Sequence, residues 1–536
     1  MKNFYLIAAT LLACSPALLA AELVTEQPAG TLRTYHGYSI SRYPYLVEII
    51  EPTDGVARDV VFDDNGTDIW FKDPLTHAPT GTWIKGSIKD GVITVETPQL
   101  IDRTSDGKDW YVQRLKKTTE TYVDEDGVTQ TATSWVPDTE KTSITYQMEG
   151  DNIVQVKEDD IILGMTCENE YYFYAESDVV YTRIKGAAAV KMPEGIEPET
   201  WSIIYNNDRY GNQGKVVIDG NDFYMKGFWA AQPEACIKGT IENDKLIIPS
   251  QQYLGLLKSY EEVPRFVYFM SSVLDSSDFV KKYVSSDESL EFSYDKDSKT
   301  ITPLFDKNTV PVVRNGMTPD VADISPRANF PTLRMKAISE LAPLDFITIP
   351  KGASYVYKDA PAWGKLEFSF RPFDSEKNAL NPDRMSYSIW MDDEILVLDK
   401  EDCINPEAYE GIDEPISEVP YMFSNGYGIK SNVSTREVMF YKVGFNEIGV
   451  QGFYDDDISG QRLSTGITYI NLDTQEIRYV ENTVSVQNID AETANVVETV
   501  RYDLSGNRVD SSFKGFVIEK VLYSDGQFKT FKKVVR

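Results

Sequence analysis

Two stretches of this chain spell nearly the same strand-turn-strand unit. TWIKGSIKDGVITVETPQ (82–99) aligns without gaps on ACIKGTIENDKLIIPSQQ (235–252), with identities at Ile84/Ile237, Lys85/Lys238, Gly86/Gly239, Ile88/Ile241 and Gln99/Gln252. Upstream, DIWFKD (68–73) answers DFYMKG (222–227); downstream, ITYQMEGDNIV (144–154) answers FSYDKDSKTIT (292–302). The offset drifts from 154 to 148 residues, so strand order is kept while loops differ. That period is too long for a solenoid unit, so each copy is a domain. The sequence therefore predicts tandem duplicated β-domains over 22–186 and 187–330. Within the shared Ile-Lys-Gly-x-Ile, the isoleucines are expected to face inward and Lys85 and Lys238 outward. Gly86 and Gly239 are expected to mark a bulge or a close backbone approach. A ligand site on this motif is the second reading.

The units are strands because hairpin signals recur. Asn65-Gly66, Asp90-Gly91, Asp126-Gly127, Asp219-Gly220 and Asp525-Gly526 each stand between alternating apolar residues, the strongest local hairpin pattern. In GVITVE, Ile93 and Val95 are expected on one face, Val92 and Thr94 on the other. With 32 Tyr, 12% aromatics and no long helical window, the chain reads as all-β.

A stretch without hairpin signals, residues 317–343, reads as a connection, with 331–343 as the linker and a short helix near Ala337 to Leu341. A third domain is expected over 344–480. GKLEFSFRPF (364–373) alternates Leu366, Phe368 and Phe370 inward. MSYSIWMDDEILVLD (385–399) predicts a hairpin turning at Asp392-Asp393, with Tyr387, Ile389 and Met391 on one face. NEIGVQGFYDDDISGQRLSTGITYIN (446–471) predicts a strand through Ile448, Val450 and Gly452, an acidic turn, and a strand through Ile467, Tyr469 and Ile470. This pattern resembles the final hairpin of a fibronectin type III β-sandwich, and Pro350, Pro361, Pro372 and Pro382 suit its edges and loops.

The ends carry addressing features. Lys2, the apolar run Phe4–Ala13 and small residues at Ala20 and Ala21 read as a secretory signal peptide over 1–21, too short to span a bilayer. Cleavage after Ala20 or Ala21 is the first reading; lipoprotein processing at Cys14 in LLAC is the second. At the other end, residues 501–536 hold eight Lys/Arg against four Asp/Glu, whereas the whole chain carries −31. VETVRYDLSGNRVDSSFKGFVIEKVLYSDGQFKTFKKVVR (497–536) resembles the type A C-terminal sorting domain of type IX secretion cargo in the Bacteroidota. Tyr502, Asp503, Leu504, Gly506, Arg508 and Val509 match its first strand, Lys514 and Gly515 its second, and Gly526, Lys532, Lys533, Val534 and Val535 its end. Asn507 stands where that family prefers Arg, and Phe516-Val517 where Tyr is usual. The resemblance implies a small C-terminal β-module, a type IX secretion machinery as partner, and delivery to the outer-membrane surface or the medium.

Chemistry is harder to find. The acidic surface disfavours nucleic acid and anionic membranes. Outside the signal there are three cysteines, Cys167, Cys236 and Cys403, expected to be small buried residues rather than a disulfide or zinc framework. The two histidines, His36 and His77, are expected on the surface and give little support to a Ser-His-Asp or metal site. Asp455-Asp456-Asp457 reads as a solvated acidic loop, with calcium as the second reading. Trp70, Trp83, Trp201 and Trp229 are expected mostly in the core, with a sugar-stacking platform as the alternative. NGT (65–67) and NVS (432–434) fit a glycosylation pattern, but Asn65-Gly66 has a turn explanation and the context looks bacterial. No Gly-x-Ser-x-Gly elbow, phosphate loop or His-Glu-x-x-His helix occurs. No catalytic, cofactor or metal residue is assigned. The expected function is modular binding or adhesion, with a protein, glycan or matrix ligand. The alternatives are a carboxylate-based polysaccharide hydrolase with accessory β-domains, and a structural spacer.

Overall fold

The computed structural model describes residues 23–123, 128–184, 189–258, 263–277, 279–318, 322–359, 361–401, 403–432, 435–481, 496–502, 508–509, 515–523 and 528–535. The signal region with Cys14, the Asp126-Gly127 and Asp525-Gly526 turns, Val433-Ser434 and the sorting-motif positions Asp503, Leu504, Gly506 and Lys514 lie outside these residues. The chain is all-β and divides into two compact units: 1–339 with Lys377–Asn381, and 340–376 with 382–536.

In the first unit the first twelve strands are β1 (Thr31–Pro44), β2 (Glu48–Phe62), β3 (Asp68–Lys72), β4 (Trp83–Lys89), β5 (Val92–Glu96), β6 (Gln99–Arg103), β7 (Asp109–Val123), β8 (Thr129–Pro137), β9 (Ser143–Glu149), β10 (Asn152–Gln155), β11 (Ile161–Cys167) and β12 (Glu170–Thr182). Antiparallel pairings run β1-β2-β3-β4-β5-β9-β10-β12 and return to β1, a closed ring of eight. Closure removes the free edges that an open sheet would leave. The strands left out of the ring form a flap, in which β7 pairs with β6, β8 and β11, and β11 returns to β12.

The next fourteen strands repeat this wiring. They are β13 (Glu199–Tyr205), β14 (Tyr210–Asp219), β15 (Asp222–Lys226), β16 (Cys236–Glu242), β17 (Lys245–Ile248), β18 (Gln252–Lys258), β19 (Pro264–Asp275), β20 (Lys282–Ser286), β21 (Leu290–Asp295), β22 (Thr300–Pro303), β23 (Thr309–Asn315), β24 (Ala322–Asp323), β25 (Ala328–Asn329) and β26 (Arg334–Ala337). The closed barrel is β13-β14-β15-β16-β17-β21-β22-β26, and the flap is β19 with β18, β20 and β23. Element by element this is the first ring and its flap. Arg334–Ala337, read from the sequence as linker, is the strand that closes the second barrel, pairing with β13 and β22. Leu333 and Met335 are buried in its core. The segment lacks turn residues because its partners lie far away in sequence, so local signals could not mark it. The helix expected near Ala337 does not form.

Each barrel has its own apolar interior, including Tyr35, Val60, Ile93, Val95, Ile144 and Tyr181 in the first and Trp201, Phe223, Ile237, Leu246, Phe292 and Met335 in the second. A single bridge, Val56 to Arg265, joins β2 to the second flap. The first barrel also buries charge. Arg58 and Glu176 pair at 2.8 Å, both almost solvent-free, and Thr76 donates its N–H to the same carboxylate at 2.6 Å. Burial raises the Tyr181 phenol to about 12.

In the second unit, β27 (Tyr355–Tyr357), β28 (Trp363–Phe368), β29 (Met385–Met391), β30 (Glu394–Ile395), β31 (Val419–Pro420), β32 (Ile429–Ser431), β33 (Arg436–Phe440), β34 (Glu447–Asp455), β35 (Arg462–Ser464), β36 (Ile467–Asn471) and β37 (Ile477–Val480) form two sheets, β27-β28-β33-β32 and β30-β29-β34-β36-β37. Phe368 of one sheet meets Tyr387 of the other edge-on at 4.9 Å, both fully buried. This is a sandwich with the fibronectin-III-like division of strands: first, second and late strand in one sheet, the middle hairpin and last hairpin in the other. Leu366, Phe368, Phe370, Tyr387, Ile389 and Met391 face inward as expected. The chain ends in a small four-stranded sheet, β39-β38-β40-β41, from β38 (Val496–Tyr502), β39 (Arg508–Val509), β40 (Gly515–Tyr523) and β41 (Phe528–Val535).

Candidate functional site

The residues shared by the two copies serve the barrels themselves. The β4–β5 ladder ends at Ser87–Thr94. Beyond it, the Gln99 side chain accepts the Lys85 N–H at 2.7 Å and donates to the Lys85 carbonyl at 2.7 Å. Gln252 does the same at Lys238, at 2.7 and 2.8 Å. The Lys85 ammonium meets Asp68 at 2.5 Å and lies over Trp70; that of Lys238 meets Asp222 at 2.8 Å and lies over Tyr224. Gly86 and Gly239 sit in unbroken ladders, so neither is a bulge. A Cβ on Gly86 would press on Ile69 and Val95 at 3.1 Å, and one on Gly239 would reach Leu246 at 2.7 Å. Close packing and internal bonding thus account for the repeated motif, and in the first copy a concavity of about 400 Å³ lined by Lys85, Gly86 and Gln99 lies over it.

Several other sequence candidates are also structural. Trp83, Trp201 and Trp229 are buried, and Trp70 is the half-buried partner of Lys85, so these four build no shared platform. Asp456 is not part of a solvated loop as expected: it is buried, accepting the N–H groups of Ile458 and Ser459 at 2.9 and 3.2 Å. Asp455 faces Arg462 at 3.8 Å. Among the described residues no three His, Cys, Asp or Glu converge as a metal site. Cys167 and Cys236 are buried and free, Cys403 is half-buried and free, and burial pushes the Cys236 thiol up to about 11.

The expectation of two surface histidines needs correcting. His36 is 3% exposed, held between Asp54 at 3.5 Å and the rings of Phe266 and Tyr268. It stands in alternation on β1, and the second flap covers that face. His77 is half-buried and stacks on Tyr43 at 4.2 Å.

A cleft of about 740 Å³ opens on the first copy, within the ~300–1,000 Å³ of small-ligand sites. Its walls come from three places: the β1–β2 hairpin (Arg42, Glu48, Ile50), the β7–β8 hairpin (Lys117, Thr133–Val136) and the β11–β12 hairpin (Asn169–Tyr171, Phe173). The Arg42 guanidinium lies 5.0 Å from the Trp135 ring and 3.3 Å from Glu48, and the Tyr171 hydroxyl donates to Glu48 at 2.8 Å. Burial, and then the bond to Glu48, hold the Tyr171 phenol well above its ordinary range. Both Glu48 oxygens are engaged, so this carboxylate fixes the walls together. A second cavity of about 180 Å³ adjoins, sharing Arg42, Lys117 and Trp135.

One wall is irregular. Gly164 pairs with Ala175 and Thr166 with Tyr171, so residues 172–174 bulge opposite Met165. Phe173 has φ +63° and is 52% exposed. A positive φ on a bulky residue is strained, and bulges gather beside functional sites. The tip of the β1–β2 hairpin adds Tyr45, Leu46 and Val47, with Leu46 90% exposed. The second barrel has shorter counterparts: β13–β14 covers 199–219 against 31–62 for β1–β2. The cleft is therefore an elaboration of the first copy. Sequence reading missed it because its walls are distant in the chain; the available signal was Tyr171–Tyr174, four successive aromatics that break strand alternation.

A scan against protein-family models finds no match, and a search of curated proteins finds none either.

Proposed function

We propose that this chain is an exported binding protein whose first barrel carries the ligand cleft. The observation that supports this most directly is the wall of Arg42, Glu48, Trp135 and Tyr171, bound to one another around an open volume of about 740 Å³. Such an arrangement offers apolar and polar surface with fixed orientation, as ligand sites do. The histidines lie elsewhere, and the Glu48 carboxylate is committed to Arg42 and Tyr171, which supports binding over acid–base turnover. The ligand classes in play are protein, glycan and matrix polymer.

Export is part of the same reading, supported by the signal-like residues 1–21 and the sorting-like tail 497–536. The second barrel, the sandwich and the terminal sheet then serve as spacer and address.

The test is a panel of glycans, matrix proteins and peptides probed with the purified full chain and with Trp135→Ala. A ligand whose capture drops at least tenfold in the variant supports the reading. Hydrolysis of a bound polysaccharide that survives purification overturns it. For the tail, removal of 497–536 should leave the protein in the periplasm of its host; unchanged surface delivery refutes that part.

A further inference from the structure

We propose that the first-barrel cleft takes an extended, lysine- or arginine-bearing polypeptide strand that adds to the free edge of β8. This rests on the binding reading above and names its ligand class.

Among the described residues β8 pairs only with β7. The other edge of Thr129–Pro137 thus offers peptide N–H and C=O groups with no ladder partner, the feature that strand-adding ligands use. That edge lies in the cleft. Thr133, Ser134, Trp135 and Val136 all line it, and four consecutive residues of a strand share an edge, whereas a face would show every second one. Across the gap the bulged wall presents Phe173, exposed and held at positive φ, suited to cover the side chains of an incoming strand.

The side chains argue against a sugar as the occupant. The guanidinium of Arg42 covers the Trp135 ring, the Tyr171 hydroxyl is spent on Glu48, and Ser134 Oγ is bonded to Thr118 at 2.8 Å. What remains for a ligand is the Thr133–Val136 backbone together with the side chains of Ile50, Asn169, Glu170 and Phe173.

Charge sets the sign of the strand. The two adjoining cavities are lined by six carboxylates and three cations. All three cations are already matched: Arg42 with Glu48 at 3.3 Å, Lys117 with Asp160 at 3.4 Å and Lys157 with Asp178 at 3.3 Å. The larger cavity is balanced on its own, Glu48 and Glu170 against Arg42 and Lys117, and the excess of carboxylates lies in the smaller one, where Asp159 adds to Glu158, Asp160 and Asp178; that end attracts basic residues of the strand and repels acidic ones.

The experiment uses the full chain and an eight-residue synthetic peptide alternating lysine with threonine and valine, its glutamate-for-lysine counterpart, and a glycan array. The basic peptide should bind, its affinity should fall with salt, and the acidic one should not bind. Two further probes carry N-methyl groups on either the odd or the even residues and leave charge unchanged. Strand addition uses alternate amides, so one of them should lose about tenfold or more in affinity while the other is retained. Phe173→Ala, on an exposed side chain, should weaken the basic peptide, and a circular dichroism spectrum like that of the wild type shows that the fold is kept. Equal binding of both N-methylated probes, or binding indifferent to Phe173→Ala and Trp135→Ala, overturns the proposal. Glycan capture that depends on Trp135 overturns the peptide class and leaves the cleft reading standing. Absence of any cleft-dependent ligand overturns both.

Discussion

Gln99 stands in for a missing strand at Lys85, bonding its backbone N–H and its carbonyl at 2.7 Å each, and Glu96 O accepts a third bond at 2.7 Å. Gln252 makes the matching three bonds at Lys238 and Pro249. Truncation leaves these groups to water or to nothing. Gln99→Ala and Gln252→Ala should each cost about 1–2 kcal/mol, read as a lower urea midpoint with unchanged slope. A cost near zero at both sites would mean that water replaces the amide without loss.

The buried Arg58–Glu176 pair has no counterpart in the second barrel. Val60 pairs with Phe71 and Val216 with Met225, so Gly214 holds the place of Arg58. The barrel fold therefore does not need the pair, but a half-pair is costly. Glu176→Ala should lose about 3–5 kcal/mol, whereas Arg58→Met with Glu176→Leu should lose far less. Chemical denaturation of Arg58→Met, Glu176→Leu and the double variant gives the coupling; additive losses would refute it.

His36 makes stability depend on pH. Burial lowers its pKa below the ordinary 6.5, and the Asp54 carboxylate only partly opposes this; Arg314 adds to the lowering. The unfolded chain therefore takes up a proton at a higher pH than the folded one. Stability is full above about 6.5 and falls as pH drops from there toward the folded pKa. His36→Gln should flatten this slope between pH 7 and 5. A slope unchanged in the variant would place its origin among the carboxylates.

Part of this architecture is written locally and part is not. Asp90 and Gly91 both have positive φ and turn β4 into β5 as the Asp-Gly pair predicts. The matching turn in the second copy is Asn243-Asp244, also at positive φ; without a glycine it gives a weaker signal, yet the repeat points to it. Barrel closure rests on long-range pairs such as Ile93 with Tyr146, which leave no trace beyond alternation. His36 looks like any residue of a half-exposed strand until the flap covers it. The cleft was least legible, because Arg42, Trp135 and Tyr171 become neighbours only through the ring and its flap.

Cysteine reactivity should follow burial. Cys236 is 2% exposed and its thiol is pushed up to about 11, and Cys167 is 5% exposed. Cys403 is less covered, although burial also raises its thiol and its Sγ contacts the Asn405 carbonyl at 2.9 Å. A thiol reagent at pH 8 should modify Cys403 first and leave Cys167 and Cys236 until urea unfolds the chain. Early labelling of Cys236, located by peptide mapping, would show that the second barrel opens readily.

Phe173 sets stability against binding. At φ +63° a bulky L-residue carries about 1–2 kcal/mol of strain that glycine does not. Glycine gives back about 0.5–1 kcal/mol through the freedom of its unfolded chain. Phe173→Gly should therefore be neutral to about 1 kcal/mol more stable, although it deletes an aromatic ring. The same change removes the exposed ring that faces β8, so ligand capture should fall. Thermal unfolding and a binding titration on one preparation test both halves. A clear loss of stability would mean that the ring's contact with Tyr171, at 5.4 Å, outweighs the strain, and that the bulge is held by packing rather than kept for a ligand.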